Sequence, residues 1–318
     1  MPFHPTRIAI VGATGPTGYH LARELLGRGR EVRVVSRRRE HLERLFAGHP
    51  VEIVPADALD PQALGGAIAG CGLVVDAIGL PPERMEDHPR VARHVADAAA
   101  GAGARCLQIS SFWSFLPHRG EVVDEGHPRA GGHRWFRLRR EAEDVLLAAG
   151  AAVVHLPDFF GPHVHTSSVQ NALVEALAGQ PMNCLGSPDV EREVAYVPDA
   201  MRTVADLAER DEAYGTDWGI PGNGTPSPRE LARLAGDRLG REVKIRSVPL
   251  WLIRLLAPVV PALRPAVPLA PHYAKPVRYD TAKLRGLLGE QERTPLAEAV
   301  GATLDWLPAP GRGGDPPG

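Results

Sequence analysis

Three glycines recur at three-residue spacing in Gly12-Ala13-Thr14-Gly15-Pro16-Thr17-Gly18, directly after an apolar, β-branched run at 7–11. Glycine allows the tight turn, lets the main chain approach a pyrophosphate, and lets a following helix pack close to the strand. A helix opening at the end of this loop would offer unpaired amides and its positive dipole end to phosphate oxygens. Glycine triplets are common. One at a strand–turn–helix junction predicts a dinucleotide site built on Gly12, Thr14, Gly15, Pro16, Thr17 and Gly18. The residue that selects the dinucleotide falls about twenty positions on, at the end of the second strand. An acidic side chain there would bond the ribose hydroxyls and repel a 2′-phosphate. This chain has Ser36-Arg37-Arg38-Arg39 instead. Guanidinium forks suit phosphate oxygens, so Arg37 and Arg38 favour NADP(H) over NAD(H).

The elements needed to hold this loop are visible in the pattern. Apolar runs at 7–11, 31–35, 51–54, 73–77, 105–110 and 152–156 alternate with helical spacing at 17–28, 39–47, 61–69, 89–102 and 134–149. Strands without polar alternation, separated by helices, predict an α/β fold with a Rossmann-type, doubly wound parallel sheet. After residue 156 prolines and glycines become denser. One further strand–helix pair at 193–197 and 198–210 returns to the sheet. The expected organisation is a nucleotide-binding domain over 5–160, completed by 193–210. A smaller, discontinuous C-terminal substrate lobe spans 161–192 and 211–308, and a frayed Pro/Gly-rich tail covers 309–318.

Composition narrows the partners. The 318 residues are 44% hydrophobic, enough for one large core plus a lobe. The formal charge of −2 is well mixed, so neither nucleic acid nor an anionic membrane is an expected partner. The apolar stretch 248–271 contains six prolines and two arginines, so it cannot supply an uninterrupted span. Cys71, Cys106 and Cys184 are too far apart in the sequence to suggest a metal site and read as buried thiols in a reducing cytoplasm. The first six residues lack the apolar core of a secretory signal. The expected partner is a small molecule, and a homodimer is compatible with the sequence.

Further motifs carry a family resemblance. The glycine loop, Ala56-Asp57, Asp76-Ala77-Ile78-Gly79, Ile109-Ser110-Ser111, Val123-Asp124-Glu125, Phe159-Phe160-Gly161-Pro162 and Ala195-Tyr196-Val197-Pro198-Asp199 occur in order, followed by Trp218-Gly219-Ile220-Pro221-Gly222 and Tyr279-Asp280. Together they resemble the extended short-chain dehydrogenase/reductases, the NAD-dependent epimerase/dehydratase type. The resemblance implies that Asp57 and Ala58 meet the adenine, that Ala77, Ile78 and Gly79 line the adenosine and ribose, and that Pro157 borders the nicotinamide. It places Ser111 on the substrate oxygen and Asp158 facing the substrate.

The family's chemistry rests on Tyr-x-x-x-Lys, two side chains on one helical face. Anchored on Arg140-Glu141-Ala142-Glu143, the tyrosine position holds Trp135 and the lysine position Arg139. Arg139 can still donate to ribose hydroxyls. An indole N–H only donates and does not titrate near neutrality, so Trp135 is no general acid. His133 is the nearest titratable neighbour, and His163 and His165 follow the Gly-Pro turn. His163-x-His165 supplies two metal ligands and no identified third, so no metal is expected. Phe112-Trp113 stands where sugar dehydratases of the family carry Asp-Glu, which disfavours that activity.

Seven of the twelve Trp and Phe residues fall between 112 and 160, and Phe112, Trp113, Phe159, Phe160 and His163 are the expected substrate wall beside Asp158. Such walls favour flat or apolar ligands. The expected function is an NADP(H)-dependent reductase of a hydrophobic or aromatic small molecule with a non-standard proton donor. Two other classes stay open: a non-redox isomerase, lyase or cyclase, and an NADP(H)-sensing binding protein without turnover.

Overall fold

The computed structural model describes Pro5 and residues 7–260, 263–264 and 266–308. The expected tail at 309–318 lies outside the described residues. The first strands are β1 (Arg7–Val11), β2 (Glu31–Ser36), β3 (Val51–Pro55), β4 (Leu73–Asp76) and β5 (Arg105–Ser111), joined by helices α1 (Pro16–Gly27), α2 (Arg39–Leu45), α3 (Pro61–Ile68) and α4 (His88–Ala102). Strand β6 (Val122–Val123), helix α5 (Arg134–Ala148) and strands β7 (Ala152–Leu156) and β8 (Asp158–Phe160) follow. Beyond them come α6 (Ser168–Leu177), β9 (Met182–Leu185), β10 (Val194–Tyr196), α7 (Val197–Ala208), β11 (Asp217–Gly219), α8 (Pro228–Leu239) and β12 (Ile245–Val248). The last elements are α9 (Leu250–Leu256), α10 (Ala266–Tyr273), β13 (Arg278–Tyr279), α11 (Ala282–Leu288) and α12 (Leu296–Trp306).

The main sheet is parallel in the order β11-β7-β5-β4-β1-β2-β3. Its central strands are buried on both faces, as continuous apolar runs require, while the edge strand β3 is only partly covered. On one side Leu21, Leu25, Ala200, Met201 and Val204 from α1 and α7 cover Ile8, Ile10 and Val34. On the other, Leu64, Ile68, Val91, Val95 and Leu146 from α3, α4 and α5 cover Ala9, Val11 and Val74. The sheet reverses its winding between β1 and β4, and both strands end at the glycine loop. In open α/β sheets, ligands bind at that switch point.

The second core holds Phe160, Val169, Leu173, Leu231, Ala235, Val300 and Leu304. It unites segments far apart in sequence, as the discontinuous lobe requires. Asp217–Gly219, expected in the lobe, pairs instead with Val153–His155 and closes the main sheet. Three residues without a β-branched side chain give no strand signal. Their place is set by tertiary pairing.

Two buried acids strap the lobe to the sheet. Asp199, at the start of α7, accepts from the Thr294 amide and Asn223 Nδ2, both at 2.6 Å, from Arg202 at 2.8 Å and from the Thr294 hydroxyl at 3.0 Å. Glu193 accepts from the Gly222 amide at 2.7 Å and the Tyr279 amide at 2.6 Å. Removing a buried carboxylate leaves such donors unpaired. Asp199→Ala is therefore expected to destabilise the protein by about 3 kcal/mol, read as a lower urea midpoint. Glu292→Ala, which leaves the Glu292 carbonyl bonded by Arg202 in place, should change the midpoint little.

Candidate functional site

The glycine loop is shaped by contacts that leave no room for a side chain. Gly12 has φ +86°, and a Cβ there would lie 2.8 Å from the Ala77 carbonyl oxygen at the end of β4. A Cβ on Gly18 would lie 2.7 Å from the Ala13 Cα. The Gly12 and Ala13 amides donate to the Val35 carbonyl at 2.9 and 3.3 Å, tying the loop to β2. Gly15 is the N-cap of α1, Pro16 follows it, and no side chain caps the helix. The first amides of α1 thus remain available to phosphate oxygens. Thr14 Oγ1 meets Ser36 Oγ at 3.2 Å, linking the loop to the end of β2, where Arg37 and Arg38 lie exposed. Asp57 accepts the Leu59 amide at 2.9 Å, and Ile78 donates its amide to Asp76. Ala58 and Ala77 are buried, Ile78 is half-buried and Gly79 is exposed. These residues fit a dinucleotide across the carboxyl ends of β1, β2 and β4.

Beneath that edge lies a buried polar floor. Arg139, from α5, donates to Ser110 Oγ at 3.4 Å and leaves its Nε without a partner among the described residues. Burial holds its guanidinium below the usual value, opposed by Glu143 and Asp76. Asp76 is pushed up to about 6 by burial, despite bonds from the Ile78 amide and Gln108 and the nearby Arg139 charge. His88, at the start of α4, is lowered to about 3 by burial and by Arg139. His88 Nε2 and Gln108 Oε1 are also buried without partners among the described residues. These orphaned polar atoms, one on the guanidinium itself and two on His88 and Gln108, suit a ligand that brings hydroxyls, such as a ribose.

Glu143 is fully buried and accepts from Ser110 Oγ and, at 2.7 Å, from Arg129. His155 of β7 places Nδ1 3.8 Å from Glu143 and 3.5 Å from Ser114 Oγ, and Nε2 3.1 Å from Asp217. Burial pushes the Asp217 carboxyl up, but His155 and Lys283 together hold it below the ordinary value. This chain links α5, β5, β7 and β11 under the site.

Ser111 ends β5, and its Oγ accepts the Trp113 amide at 3.4 Å. Helix α5 packs against the turn at 112–115, which directly follows Ser111. His133 is the N-cap of α5, exposed, with Nδ1 accepting the Trp135 amide and its ring edge-on to the half-buried Trp135 at 4.9 Å. Burial and Arg137 lower its pKa. In its neutral form the proton therefore sits on Nε2. Arg139 meets Ser110 rather than Ser111.

The expected substrate wall divides. Trp113 and Phe159 are half-buried. Phe112 and Phe160 are core residues, which corrects the expectation for both. Phe112 stacks on Tyr279 at 3.5 Å, and Phe160 sits inside the lobe core. Phe115 and Phe136 are buried as well. His163 is also corrected. Its ring packs on Tyr19 of α1 at 3.9 Å and on Trp306 of α12 at 5.1 Å, and burial lowers it to about 4. Pro157 is buried between β7 and β8.

Asp158 accepts from the Tyr273 hydroxyl at 3.0 Å and faces Arg192 at 3.7 Å, while the Arg192 guanidinium lies 4.5 Å above the Tyr273 ring. Burial and the Asp158 charge raise the Tyr273 phenol well above its usual value. Sequence reasoning missed Arg192 and Tyr273. Arg192 stands directly before the returning strand, a positional hint. Tyr273 lies 115 residues from its partner, and no local pattern announces it.

Fold and loop together define an NAD(P)-binding Rossmann protein. Residues 12–155 match the family described as NAD(P)H-binding. The chain is 32% identical over 162 residues to ceramide reductase of Caulobacter vibrioides, covering 49% of this chain and 47% of that protein. It is 25% identical over 241 residues to UDP-glucuronic acid decarboxylase 1 of Arabidopsis thaliana, covering 69% and 55%. UDP-glucuronic acid 4-epimerase of Bacillus cereus, solved with UDP-glucuronic acid and NAD, superposes with a TM-score of 0.78 at 15% identity, covering 94% of this chain and 98% of that one. The chain spans about half the length of the curated relatives it matches. Residues 12–155 thus form an NAD(P)H-binding-type domain, and the chain as a whole is similar in fold to solved structures of the epimerase/dehydratase type.

An acid whose folded-state pKa is raised costs stability as pH climbs from its ordinary value, about 3.9, through the raised one. For Asp76 the penalty is absent at low pH, grows up to about pH 6 and is complete at pH 7. Without nucleotide, Asp76→Asn should raise unfolding free energy at pH 7 by up to about 3 kcal/mol, and far less at pH 4. Urea titrations at both pH values measure the difference.

Proposed function

We propose that this chain is an NADP(H)-dependent reductase of a hydrophobic small molecule, working without the phenol its relatives would use. The observation that carries the reading is Arg139. It is a half-buried arginine whose buried Nε has no partner among the described residues, set near Ser110, Asp76 and His88 at the sheet edge. A permanent cation there would hold ribose hydroxyls, as the lysine of the usual dyad does. The first amides of α1 would hold the pyrophosphate, and Arg37 and Arg38 a 2′-phosphate. When bound, the nicotinamide supplies hydride.

The remaining roles fall to this chain's side chains. Ser111 orients the acceptor oxygen. Trp135 excludes water but moves no proton. The proton reaches the product from solvent, directly or through the exposed His133 Nε2. Reduction of a conjugated or otherwise activated acceptor needs a strong acid less than alcohol oxidation does. Similarity to a reductase of ceramide, a lipid, supports a hydrophobic substrate.

Calorimetry with NADPH and NADH, followed by the 340 nm absorbance of NADPH with a panel of apolar enones and ketones, tests this directly. NADPH should bind more tightly, and the preference should shrink at least about tenfold in Arg37→Ala/Arg38→Ala. Product formation with unchanged cofactor absorbance would make it a non-redox enzyme. If neither nucleotide binds, the reading is removed altogether.

The Trp135→Tyr/Arg139→Lys variant rebuilds the dyad on one helical face. It is expected to gain alcohol or ketone turnover over the parent, with activity rising toward alkaline pH in the oxidation direction.

A further inference from the structure

The segment from Val243 to Tyr279 contains no aspartate or glutamate and six basic residues: Lys244, Arg246, Arg254, Arg264, Lys275 and Arg278. All 38 acidic residues of the chain lie outside it, against 30 of the 36 basic ones. Each of the six is exposed, and none has an ion-pair partner among the described residues. In a protein of formal charge −2 this is a strong local asymmetry.

Apolar exposure concentrates in the same place. Trp251, Leu255 and Val259 are 65%, 63% and 75% exposed, and Val260 follows at 38%. Elsewhere among the described residues, only Val122 and Val174 are large exposed hydrophobics. Trp251 and Leu255 are one helical turn apart on α9, with Arg254 beside them. The opposite face of the helix buries Ile253, and Ala257 is buried in the turn that follows. A helix at a protein–water boundary should show polar residues outward. Here the outward face is apolar as well, with Arg254 beside it and Arg264 at the turn that follows. Arg264 braces the turn by donating to the Ala257 and Pro258 carbonyls at 3.3 and 3.2 Å.

We infer that α9 and the turn after it dock this protein onto the surface of an anionic phospholipid bilayer. Tryptophan and aliphatic side chains enter the headgroup–acyl boundary, and the basic residues attract anionic headgroups. No described helix is long and apolar enough to cross a membrane. The expectation of no membrane partner rested on mixed charge and on the lack of a span, and neither argues against a segment that lies on the bilayer. A second copy of the chain would bring the same positive charge to this face and be repelled. Helix α10 packs on α9 and ends in Tyr273, which holds Asp158. The docking face therefore adjoins the candidate site.

The test is flotation of the full chain with vesicles of phosphatidylcholine alone, or with about 30 mol % phosphatidylglycerol. Binding to the anionic vesicles is expected, falling toward the neutral-vesicle level at about 0.5 M salt. Trp251→Ser/Leu255→Ser/Val259→Ser should lose about tenfold in partitioning. Arg246→Glu/Arg254→Glu should lose the preference for anionic lipid. Circular dichroism and the urea midpoint establish that each variant is folded, with no reference to nucleotide binding. The inference is overturned if the parent chain stays in solution with anionic vesicles, or if the triple variant floats as well as the parent. A lipid-free dimer that the triple variant dissociates would give this face to a second copy and overturn it too.

Discussion

A guanidinium does not give up its proton inside a protein, so an arginine drawn into the interior imposes its charge on everything around it. Arg139 imposes that condition here. Asp76 and Glu143 lie close enough to offset it, His88 is held neutral, and Ser110 receives its one described bond. The floor beneath the nucleotide edge is thus a charge-compensated layer with open hydrogen-bonding positions. A lysine in the same place could lose its proton to relieve the desolvation. Arginine keeps the field fixed at every physiological pH, which suits holding a ligand better than passing protons.

The frame was legible because parallel strands buried on both faces leave uninterrupted apolar runs. The glycine loop was legible because Gly12 and Gly18 stand where the main chain touches Ala77 and Ala13 too closely for any Cβ. The site was harder to read. Phenylalanine suits a ligand wall or a core equally well, so nothing local showed that Phe112 faces Tyr279 and Phe160 the lobe interior. The Asp158–Tyr273–Arg192 group joins three segments of the chain, and strand β11 is too short to carry a pattern. What the sequence withheld is what depends on long-range packing.

The lobe's dependence on carboxylates follows from its discontinuity. Its segments enter and leave the sheet domain repeatedly, and loops at such crossings expose amides that need acceptors. Glu193 directly precedes β10, which pairs with β8 in a separate two-stranded sheet rather than returning to the main one as expected. Asp199 sits on α7, which does pack on the main sheet, so one pair of acids closes several crossings. Burial raises the Glu193 pKa, opposed by the amides it binds. The substrate side is thereby fixed to the nucleotide side by hydrogen bonds as well as by packing.

The three-residue strand β11 also explains why the nucleotide half cannot be cut free at a convenient sequence boundary. It lies along β7 at the end of the sheet and pairs with the backbone of Val153–His155. A truncated chain ending near residue 160 would keep the glycine loop and the polar floor but lose this guard. The bared flank of β7 would then be free to recruit another polypeptide, the hazard that natural sheets guard against at their margins.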